Sequence, residues 1–149
     1  NNSLLDGKTG KGLCIIDLDT IMPGLAANDF GDSIRFGAAT AEEDERDLDK
    51  MHFDIGLYEV YVKGYLEETK DVLTPEEIES LPWGARLMTL ECGIRFLADY
   101  LQGDTYFKTG YPEHNLVRAR TQFRLVDEME QQFEQMKEIV RKYACIDIF

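Results

Sequence analysis

The sequence predicts a mainly α-helical fold with one small β-hairpin, and three observations lead there. Apolar residues recur at spacings of three and four over most of the chain, which is the period of an amphipathic helix. Strand formers cluster strongly only once, near the start, beside a turn rich in glycine. The 149 residues, 44% hydrophobic and 11% aromatic, supply the core of a single domain.

Leu4 and Leu5 lead into "DGKTG", whose residues tolerate positive φ, and "KGLCIIDL" then returns as an apolar run, so the pair reads as a hairpin. With Asp6 and Lys11 flanking the turn, an uninterrupted ladder sets Asn2 opposite Ile15. After Pro23-Gly24 the period becomes helical: Asn28 or Asp29 caps a short helix carrying Ile34 and Phe36, with Asp32 in its first turn. "AEEDERDLDK", residues 41–50, reads as a solvated charged loop, and His52 beside it has no evident partner.

Ile55, Tyr58, Val62 and Tyr65 mark the second helix. Thr74-Pro75-Glu76-Glu77 has the cap, the first-turn proline and the third-position glutamate of a capping box, opening a short helix that ends near Ser80-Leu81-Pro82. Trp83 precedes a further helix, whose stripe Leu87, Leu90, Ile94, Leu97 and Leu101 stops at Gly103. Ala119, Val126, Phe133 and Val140, interleaved with Met129, Met136 and Tyr143, predict one long final helix. The expected domain is 1–149, with a hairpin and loop over 1–24 and a helical subdomain over 25–149.

With 29 acidic against 16 basic residues the formal charge is −13, which disfavours nucleic acid and acidic membranes as partners. Apolar runs are far shorter than a membrane span. Cys14, Cys92 and Cys145 lack the paired spacing of a disulfide framework or zinc site and read as small buried hydrophobes, in keeping with a cytoplasmic protein. The chain starts without methionine, directly in a hairpin pattern, which predicts a piece of a longer protein.

The chemistry concentrates where the apolar strand ends in Asp17-Leu18-Asp19. Two carboxylates at a fixed edge suit a hard cation; the competing reading is that they solvate a strand end or cap a turn. An EF-hand loop fails because Ile21 and Met22 stand at its fifth and sixth positions. A dehalogenase-type phosphatase fails because Ile21 replaces the hydroxyl after Asp-x-Asp and strand-helix repeats are absent. A kinase-type metal site remains open, since Asn2 can approach Asp17 along a cross-strand diagonal of roughly 7 Å. Asp29-Phe30-Gly31 looks like the magnesium motif of protein kinases, but it follows no strand.

The blocks "NNSLLDGKTGKGLCIIDLDTIMPGLAANDFGDSIRFGA" and "LMTLECGIRFLADYLQGDTYFKTGYPEHNLVRARTQ" resemble the C-terminal lobe of the N-acetylhexosamine kinases, in the aminoglycoside phosphotransferase and choline kinase superfamily. The resemblance implies an incomplete protein-kinase-like fold. It implies Mg²⁺ held by Asn2, Asp17 and Asp19, ATP as co-substrate, and a catalytic aspartate upstream of Asn1, so that this chain alone is inactive. Phe36, Arg95 and Tyr106 would meet the amino sugar, and Asp29 and Asp32 would support the site.

Each of those sugar residues has a plainer role open to it: Phe36 in the core, Arg95 in an ion pair with Glu91 or Asp99, Tyr106 in loop packing. His114, Asn115, Arg118 and Arg120, at the start of the last helix, can cap, form ion pairs or touch a phosphate or sugar. Related kinases act on choline, aminoglycosides and homoserine. Outside the kinases, a sulfatase is unsupported because no cysteine begins Cys-x-Pro-x-Arg. A noncatalytic helical interaction module using Phe133, Met136 and Val140 is the other alternative, with a monomer favoured.

Overall fold

The computed structural model describes residues 3–18 and 21–144. They form a two-stranded antiparallel sheet, β1 (Ser3–Leu5) and β2 (Gly12–Ile15), followed by five helices: α1 (Ala26–Gly37), α2 (Ile55–Thr69), α3 (Pro75–Leu101), α4 (His114–Gln131) and α5 (Phe133–Ala144). The mainly helical class with a small hairpin is therefore the observed one. The five helices are not partitioned as the sequence suggests, because two expected helices join and one divides.

The hairpin turn is locked by Asp6, whose carboxylate accepts from the Lys8 and Thr9 amides and the Thr9 hydroxyl, while the Asp6 amide donates to the Lys11 carbonyl at 2.8 Å. Beyond the turn the ladder slips. Leu5 pairs with Gly12 but Leu4 pairs with Cys14, so a bulge sets Ser3, not Asn2, opposite Ile15. Asn2 itself lies outside the described residues, as do Asp19 and Cys145. Both strands are exposed on both faces, Cys14 included, which corrects its reading as a buried hydrophobe.

Helix α1 starts at Ala26, and Leu25 before it offers no side-chain cap, so Asn28 and Asp29 lie inside the first turn, and Asp32 falls in the second. Asp29 still suits the positive end of the helix dipole. Phe30 is fully buried and packs edge-on against Tyr58, Tyr61 and Tyr65. Gly31 faces Gly84 so closely that a Cβ on either glycine would strike backbone. The Asp-Phe-Gly tripeptide thus belongs to the core and to a helix crossing.

Thr74 and Glu77 form the expected reciprocal capping box at the start of α3. The helix nevertheless runs through Pro82 to Leu101, with Trp83 inside it. An internal proline costs about 3 kcal/mol in a helix. Here Pro82 is buried next to the α1 crossing, and the packing of that face offsets the lost hydrogen bond.

Helix α3 also buries a face other than the one its leucines mark. Ile78, Leu81, Ala85, Thr89, Gly93 and Phe96 point inward, whereas Leu87, Ile94 and Leu101 are 57%, 52% and 73% exposed. Glycine stands at 84 and 93 because the backbone of α1 and the Phe123 ring of α4 come so close there that no side chain fits.

The expected long last helix breaks at Gln132, with φ −105° and ψ 11°, and α5 turns to pack on α2 and α3. Its stripe is correctly placed all the same: Ala119, Val126, Met129, Met136 and Val140 are buried. No helix among the described residues is long and apolar enough to cross a membrane.

Candidate functional site: a cleft between three helices

Two close crossings frame a cleft between α1, α3 and α4. Gly31 and Gly84 pin α1 on α3, and Gly93 lets Phe123 and Gln122 of α4 pin the other side. Between them opens a cleft of about 510 Å³ lined by Asp32, Arg35 and Phe36 of α1, Met88, Glu91, Cys92, Arg95 and Phe96 of α3, Arg118 of α4, and the loop residues Glu43, Phe107 and Lys108. That is the size range of small-molecule sites.

Its charge runs against the rest of the protein. Arg35, Arg95, Lys108 and Arg118 outnumber Asp32, Glu43 and Glu91 by four to three, in a chain of net charge −13. Arg35, only 9% exposed, donates through Nε to Asp32 at 3.0 Å and through Nη1 to Glu43. Burial disfavours its charge, but Cys92, Glu43 and Asp32 outweigh that and push its pKa up. Glu43 also lies 3.4 Å from Arg118 Nε, so one carboxylate ties α1 to α4. The charged run around it is therefore not merely solvated, because a buried arginine requires a partner.

Aromatic rings stand beside the cations. The Arg35 guanidinium lies 4.1 Å over Phe36, Arg118 5.3 Å over Phe96, and Arg95 5.5 Å and 5.8 Å over Phe107 and Tyr106. Such walls offer donors in the plane of a ligand and flat apolar faces above it. Burial first, with the charges of Glu43 and Asp32, holds the Cys92 thiol above its usual pKa, so it is no ready nucleophile.

The rim carrying Tyr106 and Phe107 hangs on one carboxylate. Asp99 accepts from the amides of Thr105, Tyr106 and Phe107 at 2.8–2.9 Å and from Asn115 Nδ2 at 2.9 Å. Gly103 and Asp104, both at positive φ, turn the chain back to make this possible. Burial would raise the Asp99 pKa, but the Phe107, Tyr106 and Thr105 amides dominate and lower it.

The structure brings Phe36 and Arg95 into this one cleft. Phe36 is 58% exposed, which removes the core reading. Arg95 keeps the expected partner Glu91 at 3.6 Å, whereas Asp99 is taken up by the loop amides. Tyr106 does not line the cleft but sits edge-on against Phe107, which does. Of the support residues, Asp32 faces the cleft, while Asp29 lines a separate groove of about 550 Å³ with residues 21–25 and Asn28.

Sequence reasoning missed Arg35, Glu43 and Phe107, and it named Asp99 only as a partner for Arg95, not as the anchor of the rim. Only a Phe-Lys pair next to the expected Tyr106 hinted at any of them. Arg118, which had several roles open to it, lines the cleft, and His114 stacks on Tyr111 with Nε2 3.2 Å from Asp44. His52, expected without a partner, meets Glu128 through Nδ1 at 2.9 Å and the Asp49 carbonyl through Nε2 at 2.8 Å.

Of the expected metal residues, Asn2 and Asp19 lie outside the described residues, and Asp17 is not among those that line this cleft. Asp17 is exposed just beyond β2 with φ 62°, a left-handed conformation that aspartate tolerates better than most residues. Among the described residues no group of three His, Cys, Asp or Glu side chains is placed to hold a metal ion. No protein-family model matches the chain.

Proposed function

We propose that the chain is the C-terminal lobe of a kinase that uses ATP and Mg²⁺ to phosphorylate the anomeric hydroxyl of an N-acetylhexosamine. The sequence resemblance motivates this reading. The observation that supports it is that Phe36 and Arg95, widely separated in sequence, line one cleft of small-molecule size, with Tyr106 packed at its rim.

The chemistry of that cleft suits a sugar. The exposed face of Phe36 packs on the apolar side of a pyranose ring, and Arg95 donates to hydroxyl or acetamide oxygens. Asp32 accepts from a hydroxyl on the wall opposite Arg95. Asp99 keeps Tyr106 and Phe107 in place while this happens.

Mg²⁺ is commonly bound through only one or two carboxylates together with phosphate oxygens and water, so the exposed carboxylate of Asp17 is compatible with it. In this reading Asn2, Asp17 and Asp19 would hold the ion, which would supply charge neutralisation for the nucleotide phosphates. The exposed leucines and isoleucines of the hairpin are then the face on which the rest of the catalytic domain packs. The base aspartate belongs to that upstream part, and the chain alone does not turn over.

The parent protein, supplied with ATP, Mg²⁺ and N-acetylglucosamine or N-acetylgalactosamine, is expected to release a sugar 1-phosphate; no such product from either sugar overturns the reading. In this chain by itself, titration with N-acetylglucosamine is expected to shift the amide resonances of Phe36, Arg95 and Phe107. The interaction-module alternative loses its proposed surface, because Met136 and Val140 are buried in the core.

A further inference from the structure

The broadest unexplained feature of the helical body is the outer face of α3. Trp83, Leu87, Leu90, Ile94, Leu97 and Leu101 follow one another at alternating spacings of four and three, a heptad seam of about 27 Å at 1.5 Å per residue. Leu87, Ile94 and Leu101 are exposed, Leu90 and Leu97 half-buried, and the half-exposed Trp83 packs edge-on against Phe133 of α5, while the opposite face of the same helix packs on α1 and α4. A contiguous apolar stripe of this kind on a helix is an association surface.

From this stripe we infer that two copies of the chain associate through α3, side by side and parallel, about a two-fold axis. The residues beside the seam select the occupant and its direction. With Leu87, Ile94 and Leu101 at the first heptad position, Arg86 and Glu91 flank the seam on opposite sides, five residues apart. In a parallel pair each Arg86 then faces the other copy's Glu91, giving two opposite-charge contacts from one surface. A centred antiparallel pair would instead set the two Glu91 side chains against each other.

Of the remaining flanks, the exposed Ala98 admits close approach, whereas Gly93 is buried against Phe123 and Gln122 of α4. Arg86 lies 3.4 Å from the half-exposed Glu130 and Glu91 lies 3.6 Å from Arg95, so the contact between copies exchanges both of these surface pairs. The inference does not depend on the kinase reading.

The test is the molar mass of the purified chain by light scattering and sedimentation at micromolar concentrations, with far-UV circular dichroism to confirm folding. The wild-type chain should sediment as a dimer, and Leu87→Glu and Ile94→Glu, both at exposed positions, should each give a folded monomer. A wild-type monomer overturns the inference, and so does a dimer that survives both substitutions, which would point instead to the hairpin residues Leu13 and Ile15. Arg86→Glu and Glu91→Arg should each weaken association by about tenfold, and the double swap should restore it. A swap that fails to restore it overturns the parallel arrangement.

Discussion

The helical body and the hairpin spend their apolar residues in opposite ways. Phe30, Ile34, Met51, Tyr58, Val62, Leu66, Leu81 and Met136 are fully enclosed where α1, α2, α3 and α5 converge. Leu4, Leu5, Leu13, Ile15 and Ile16, hardly less hydrophobic, remain 41% to 68% exposed. A two-stranded hairpin has no interior of its own, so its side chains lose contact with water only when another layer covers them. Within this chain the body carries the stability and the hairpin carries unfilled contact area.

That contrast can be broken by substitution. Phe30→Ala removes a ring enclosed by three tyrosines and should cost about 3–5 kcal/mol in urea denaturation. Gly84→Ala forces a methyl against the Ala27 carbonyl at the α1–α3 crossing and should cost about 1–3 kcal/mol. Thr74→Ala removes one half of the capping box and should cost about 1 kcal/mol. At the small end, Leu13→Ala in this chain should change stability by less than about 0.5 kcal/mol. A loss from Leu13→Ala as large as that from Phe30→Ala would show that the hairpin is covered after all.

A pH test sharpens the same comparison inside the body. The Glu128 carboxylate, followed by the Asp49 carbonyl, holds the His52 imidazolium and raises its pKa above 6.5. Both ring nitrogens face acceptors, which only the doubly protonated ring satisfies. The contribution is fully present below the ordinary histidine value and is lost as pH rises through the raised one. His52→Ala should therefore destabilise the chain at mildly acid pH and much less in alkali, and an NMR titration of the ring should give a midpoint above that of a model peptide.

Local signals account for what was legible in advance. Thr74 with Glu77, Asp6 before the hairpin turn, and the stripes of α2 and of the final helices each depend on residues a few positions apart. Their physics is complete before the chain folds. The direction of the α3 face was not legible, because hydrophobicity follows its leucines while burial follows Ala85, Thr89 and Gly93. Arg35 and Glu43 escaped notice for a related reason, since a charge looks solvated until a neighbouring helix encloses it.

The sequence by itself determined the helical class, the single hairpin, the capping box and the pattern of charge, all consequences of short-range geometry and composition. Tertiary structure alone decided that α3 passes through Pro82, that α4 and α5 part at Gln132, and that Phe36 and Arg95 share a cleft. Those outcomes depend on how closely whole helices approach one another. That closeness is set by glycines at crossings, Gly31, Gly84 and Gly93, whose effect appears only when the second helix is present.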